Sequence, residues 1–220
     1  MKKNKIYSAL ILILLSVISL SVISLSVISF TNNIVIVEAK TKVSEKEMYI
    51  LDLYKESRVI VEDDTYLKDS VNSLKEAFKI LPQSYIDLFI DGDYVIEFVE
   101  EIPSREDNAG LIDYANHIIY INCQYSVDVM KEVIIHEMSH YFDRYVGLKL
   151  YKYFSLSSRK ELTKLYNDYK DLDIYDSHYK KNQREFFAKI MTDYIIQNDE
   201  DTPKEITKYI KDILKKANKI

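Results

Sequence analysis

A mostly helical α+β domain, with a small sheet just ahead of one long helix, is the fold class this sequence predicts. Three observations predict it. Apolar residues recur at three- and four-residue spacing over most of the chain, short alternating runs cluster between Tyr94 and Asn122, and no Gly- or Ser-rich linker divides the two kinds of pattern. Gly and Pro number three each, too few to punctuate a second domain.

The first residues read as a targeting segment. Lys2, Lys3 and Lys5 precede an apolar run from Ile6 to Phe30, and the small residues Val37 and Ala39 occupy the positions expected before a secretory cleavage site. Cleavage is expected after Ala39, giving an exported protein of Lys40 to Ile220. The run is also long enough to span a bilayer, so an uncleaved N-terminal membrane anchor is the alternative. With 30 basic and 35 acidic residues the net charge is −5. That balance argues against nucleic acid or anionic lipid as the main partner. Cys123 is the only cysteine, so no intramolecular disulfide can form, and stability must come from the core or a bound metal.

Beyond the leader, Ser44 to about Val61, Leu67 to Leu81 and Gln83 to Ile90 carry helical periodicity, with Pro82 separating the last two. Asp91-Gly92-Asp93 is a turn signal, Tyr94 to Val99 alternates as a strand, and Pro103 to Asn108 reads as a polar loop. Gly110 to Tyr114 and His117 to Asn122 predict a hairpin around Ala115-Asn116. Helices follow at about Val127 to Val146, Ser158 to Asp171, Gln183 to Ile196 and Pro203 to Ala217. In the first of these, Ser126 is the expected N-cap and Asp128 lies in the first turn. Val129, Val133, Ile134 and Tyr141 are the expected core side, and Gly147 the expected terminator.

That helix contains His136-Glu137-Met138-Ser139-His140. Histidines four residues apart project from one helix face on adjacent turns, a spacing that can present two imidazole nitrogens to one Zn²⁺. A catalytic zinc site needs a third protein ligand and an open position for water. Glu137 is placed to take a proton from such a water. Asp143, on the same face, could orient a histidine ligand or be a plain surface carboxylate. A third ligand is expected beyond this helix, and Glu185 stands out, followed by Phe186, Phe187, Ile190, Met191, Tyr194 and Ile195, which can bury one side of its helix.

The run from His136 to Gly147, followed by Glu185-Phe186-Phe187-Ala188, resembles the lethal-factor-like zinc metalloproteases, the group that includes the catalytic domain of anthrax lethal factor and the small secreted Pro-Pro endopeptidases. The similarity spans Gly110 to about Ile196. It implies a single zincin-like metalloprotease domain over residues 40–220. One Zn²⁺ per chain would be held by His136, His140 and Glu185, with Glu137 as general base. It also implies that an extended substrate pairs with an edge strand ahead of the metal helix, a role assigned to His117 to Asn122. Members carry a tyrosine seven residues before the glutamate ligand that stabilises the oxyanion. Here His178 holds that position and Tyr179 follows it, so either side chain could serve, with Tyr179 favoured because a phenol donates at any neutral pH. Lys189 replaces a glutamate of the family one turn after the ligand, leaving Asp143 or Glu132 to support the metal ligands. The stretch from Glu101 to Leu111 is shorter than the Gly- and Trp-containing loop of the Pro-Pro members, and the chain has no Trp.

The resulting expectation is a secreted, monomeric zinc endopeptidase, related to toxins but with no docking or translocation module read ahead of the domain, and hence with peptide or protein substrates outside the producing cell. Two alternatives stand beside it: a catalytically silent binding module of the same fold, and a surface structural protein with accidental histidines.

Overall fold

In the computed structural model the chain is described over residues 58–103, 108–172, 177–197 and 202–219. The expected leader with its cleavage site, most of the Ser44 to Val61 helix, and positions 104–107 of the polar loop lie outside the described residues. The remainder is α+β, with six α-helices and one four-stranded sheet among the described residues. No helix among them is long and apolar enough to cross a membrane.

Strand β1, Val59–Val61, opens this part of the chain, where the helical pattern was expected to continue. Its buried-exposed-buried alternation inserts Val59 and Val61 into the core and leaves Ile60 outside. Helices α1, Leu67–Ile80, and α2, Gln83–Asp91, follow. Pro82 separates them because it has no N–H to donate to the preceding turn, and it is tolerated as the N-cap of α2. The sheet continues with β2, Val95–Val99, β3, Gly110–Asp113, and β4, Ile118–Asn122.

Strand order is β1-β2-β4-β3, with β1, β2 and β4 parallel and β3 antiparallel to β4. This corrects the expected edge: β4 is interior, and among the described residues β3 lies at one edge of the sheet and β1 at the other. The reason is the crossover from β2, which places β4 beside it and leaves β3 only one neighbour. The β3–β4 turn is held by Asp113, whose carboxylate accepts from the backbone N–H groups of Ala115 and Asn116 and from the Asn116 amide. His117 takes a left-handed φ of 58° there and stacks on Tyr94.

Helix α3 runs Val127–Tyr151 and is the axis of the domain, packing on α1, on the sheet and on a later helix. Its N-cap is Ser126, whose hydroxyl accepts from Val129 N–H as expected. It does not stop at Gly147. It ends at Lys152, in left-handed conformation, and Gly147 sits buried inside the helix because the returning chain crosses it closely: a Cβ at Gly147 would lie 2.5 Å from the Ser155 carbonyl carbon and 2.7 Å from Leu156 N. Three shorter helices complete the fold, α4 at Lys160–Tyr169, α5 at Gln183–Ile196 and α6 at Lys204–Ala217.

The core lies between α3 and its neighbours. Ile96, Phe98, Ile119 and Ile121 point inward from the sheet, and Phe78, Tyr85, Phe89, Phe142, Phe186 and Phe187 fill the helical side, all essentially inaccessible. Tyr85 stacks on Phe142 with ring centroids 4.1 Å apart, locking α2 to α3. Each such aromatic contributes on the order of 1.5–3 kcal/mol by leaving water, so α3 is held along its length. Val129 is an exception to the expected core side. It is 40 % exposed, because it faces the cleft described next.

Candidate metal centre

His136 and His140 lie on the face of α3 turned towards α5. Ile134, Ile135, Met138 and Phe142 face the core and are fully buried; this packing fixes the rotation of α3 and aims the two imidazoles outward into the gap. Their rings stand 4.8 Å apart and nearly perpendicular.

Glu185 arrives from α5. The Asn182 side chain caps this helix by accepting from the N–H groups of Arg184 and Glu185, so Glu185 sits in the first turn, where the helix dipole favours a carboxylate. Phe186, Phe187, Ile190 and Met191 anchor the opposite side of α5 in the core, and α3 with α5 forms the most extensive helix contact among the described residues. Glu185 Oε2 consequently lies 3.3 Å from Nε2 of both His136 and His140. One ligand atom from each of the three residues can be chosen so that all lie within 4.8 Å of one another. Burial pushes the Glu185 carboxyl up, but the bonds from the two imidazoles outweigh it and hold the group well below the usual carboxylate range. His136, His140 and Glu185 could therefore hold a metal ion, as expected from the sequence.

The donor set suits such an ion on chemical grounds. A neutral imidazole carries one N–H and one lone pair, so two histidines on one carboxylate oxygen use both N–H groups if they bond it. The buried Nδ1 of His140 has no hydrogen-bond partner among the described residues, and an ion on Nε2 would leave the ring proton there. With a divalent cation in the gap, the two Nε2 lone pairs and the carboxylate all become ligands, and two nitrogens with one oxygen is a zinc-compatible set.

Glu137 is buried on the adjacent side of α3, against the edge strand. Gly110 opens β3 there, and a Cβ on it would lie 2.5 Å from Val133 Cγ1, 3.0 Å from Glu137 Cγ and 3.1 Å from Glu137 Oε1. The three candidate ligands, Glu137 and the β3 edge all border one cleft of about 600 Å³.

Around this centre the structure sorts the remaining expected residues. Asp143 is neither a surface carboxylate nor hydrogen-bonded to a histidine: it is buried, and its two oxygens accept from the Ser157 N–H at 2.7 Å and the Ser157 hydroxyl at 2.6 Å. Burial raises its carboxyl to about 6, against the opposing pull of those two bonds. Glu132 borders the cleft. Lys189 pairs with Asp193 one turn further along. His178 and Tyr179 both border the cleft. His178 Nε2 lies 3.2 Å from Glu185 Oε2, and the Tyr179 ring packs 5.8 Å from that of His136. The sequence reasoning missed Arg184, Thr192 and Asp193 in the cleft. A signal existed for Asp193, which repeats the four-residue spacing of Glu185 and Lys189 along one face of α5.

Compared with known protein families and with curated proteins, the chain matches none.

Proposed function

We propose that this protein is a zinc-dependent endopeptidase with a zincin-like catalytic domain, which hydrolyses extended peptide segments. The observation that carries the reading is the convergence of His136, His140 and Glu185 on one point, with Glu137 buried alongside and an open cleft over both. The resemblance of the segments around His140 and Glu185 to the lethal-factor-like metalloproteases supports it.

In this reading His136, His140 and Glu185 hold Zn²⁺, which when bound supplies Lewis acidity and lowers the pKa of a coordinated water towards about 7. The substrate adds as a strand to the free edge of β3, whose other edge is taken by β4. Main-chain hydrogen bonds along Gly110 to Asp113 give affinity without reading side chains. Glu137, pressed between α3 and Gly110, takes the proton of the attacking water and passes it to the departing amine. Tyr179 donates a hydrogen bond to the oxyanion as the carbonyl becomes tetrahedral. Export with cleavage after Ala39 completes the proposal, and the N-terminal sequence of protein recovered from culture medium tests it.

Function is tested by metal content and peptide hydrolysis together. Purified protein should carry close to one zinc per chain, and Glu137→Ala should keep that zinc and lose hydrolysis of a broad peptide library. Wild type as inert as Glu137→Ala, both fully zinc-loaded, would replace the enzyme with a binding module of the same fold. Absence of zinc from all preparations would remove both.

A further inference from the structure

The cleft is polarised in charge, and the polarity falls along the edge strand. Gly110, at the start of β3, lies against Val133 and Glu137. Tyr114, just past its end, donates its hydroxyl to the His140 carbonyl oxygen. Strand β3 therefore advances with α3, and a segment paired to its free edge passes Glu137 and reaches the Tyr114 end. There the Arg184 guanidinium lies 4.7 Å from the Tyr114 ring centroid, and Arg144 lies 4.6 Å from the same centroid. At the far end of the cleft stand Glu132 and the Lys189–Asp193 pair.

Two cations, Arg184 and Lys189, border the cleft. Lys189 is neutralised by Asp193. Arg184 has no carboxylate at ion-pair distance among the described residues, and its side chain is exposed to the cleft solvent. A cation held over an aromatic ring is already oriented, and a guanidinium offers a planar fork matched to a carboxylate. Arg184 belongs to the first turn of α5, next to Glu185, so its place relative to the proposed scissile bond is fixed by the same helix that supplies the third ligand.

Resting on the endopeptidase reading above, we infer that Arg184 is a specificity-determining residue that selects substrates carrying a carboxylate at the Tyr114 end of the cleft. The carboxylate comes from an acidic side chain or from the C-terminus of the peptide. The attraction is that of an exposed pair, strengthened by the planar fit and weakened by salt. Arg144 adds positive potential behind the ring, against which stand the buried Asp143 and Glu137, the two carboxylates that act on Tyr114.

The test uses the full-length zinc-loaded protein and fluorogenic peptides that differ at one position, Glu or Gln, scanned across the cut. Each is made with a free and an amidated C-terminus. At one position wild type should cleave the Glu peptide about tenfold more efficiently in kcat/KM, and the preference should shrink at high salt. If amidation rather than Glu→Gln removes the preference, the terminal carboxylate is the recognised group. Arg184→Gln should level the preference, and Arg184→Glu should reverse it towards a Lys peptide, with zinc content and circular dichroism unchanged. Equal cleavage of acidic and amide peptides by wild type overturns the inference, as does a preference that survives Arg184→Glu. Fluorescence anisotropy of the same labelled peptides on the Glu137→Gln variant reads the preference without turnover. Acid-selective binding lost in the Arg184→Glu, Glu137→Gln double variant upholds Arg184 even where hydrolysis is absent and the endopeptidase reading has failed.

Discussion

Gly110 and Glu137 touch across the interface of edge strand and metal helix so closely that no side chain fits between them: a Cβ on residue 110 would stand 3.0 Å from Glu137 Cγ. The strand that would receive the substrate and the carboxylate that would move the proton are thus positioned by one contact. Val133 closes the same gap at 2.5 Å. Gly110→Ala must turn Val133 aside and push β3 outward or shift Glu137 by a few tenths of an ångström, while leaving His136, His140 and Glu185 where they are. The expected outcome is full zinc content with kcat reduced tenfold or more, since misplacement of a catalytic group by a fraction of an ångström is costly. Retention of wild-type kcat would show that the gap relaxes freely.

Asp143 gives the fold a pH dependence whose sign follows from its burial. Its carboxyl is raised to about 6 from an ordinary value near 4. Between those values the folded state keeps a proton that the unfolded chain has lost, so the stability contributed is complete below about pH 4 and is lost as pH rises through about 6. Two pKa units correspond to about 3 kcal/mol. Asp143→Asn keeps an acceptor for the Ser157 N–H and gains a donor for the Ser157 hydroxyl, but cannot titrate. Urea unfolding of metal-free protein from pH 4 to 8 should show wild type losing stability relative to Asp143→Asn across this window. A difference that does not change with pH would contradict the assignment.

Gly147 is where helix propensity and packing disagree. In an isolated helix, Gly→Ala stabilises by about 1 kcal/mol. Here the added methyl would meet backbone atoms of Ser155 and Leu156 at 2.5–2.7 Å. That returning segment is pinned: Tyr153 N–H donates to the Gly147 carbonyl, Leu156 N–H to the Asp143 carbonyl, and Ser157 to the Asp143 carboxylate. Overpacking against a fixed backbone costs about 1–3 kcal/mol or more, so Gly147→Ala should lower the urea midpoint. A rise in the midpoint would mean that the segment moves aside at little cost.

The same glycine shows why some of this architecture was hidden in the sequence. A Gly closing a periodic run reads as a helix terminator, and the crossing chain that requires it is non-local. Strand β1 was hidden for a related reason: Val59, Ile60 and Val61 form an apolar run too short for its period to distinguish strand from helix end. The order β1-β2-β4-β3 is likewise a tertiary fact, so alternation located β3 and β4 as a hairpin but did not reveal which of them lies at the edge. By contrast His136, Glu137 and His140 were legible because helix geometry alone puts the two imidazoles on one face. Glu185 was legible because Phe186, Phe187, Ile190 and Met191 mark the buried side of its helix. Arg184 was not, since nothing local indicates that the first turn of α5 borders a cleft.

Two neighbouring residues, His178 and Tyr179, separate a role at the metal ligands from a role at the oxyanion. His178 Nε2 stands 3.2 Å from Glu185 Oε2, the same oxygen that faces His136 and His140. Tyr179 packs instead on the His136 ring. Replacing His178 with Gln alters the surroundings of a ligand oxygen and should change zinc affinity by about tenfold, measured by competition with a chelator. Tyr179→Phe removes a hydroxyl and leaves the ring packing in place. It should keep zinc affinity and lower kcat by about a hundredfold with little change in KM, the loss typical of a donor that acts only in the transition state. The reverse pattern, with His178→Gln fully zinc-loaded yet slow and Tyr179→Phe unimpaired, would transfer the donor role to the imidazole. In that case catalysis would also depend on which nitrogen of His178 carries the proton, and kcat would fall as that tautomer was lost, a dependence that a phenol does not impose at neutral pH.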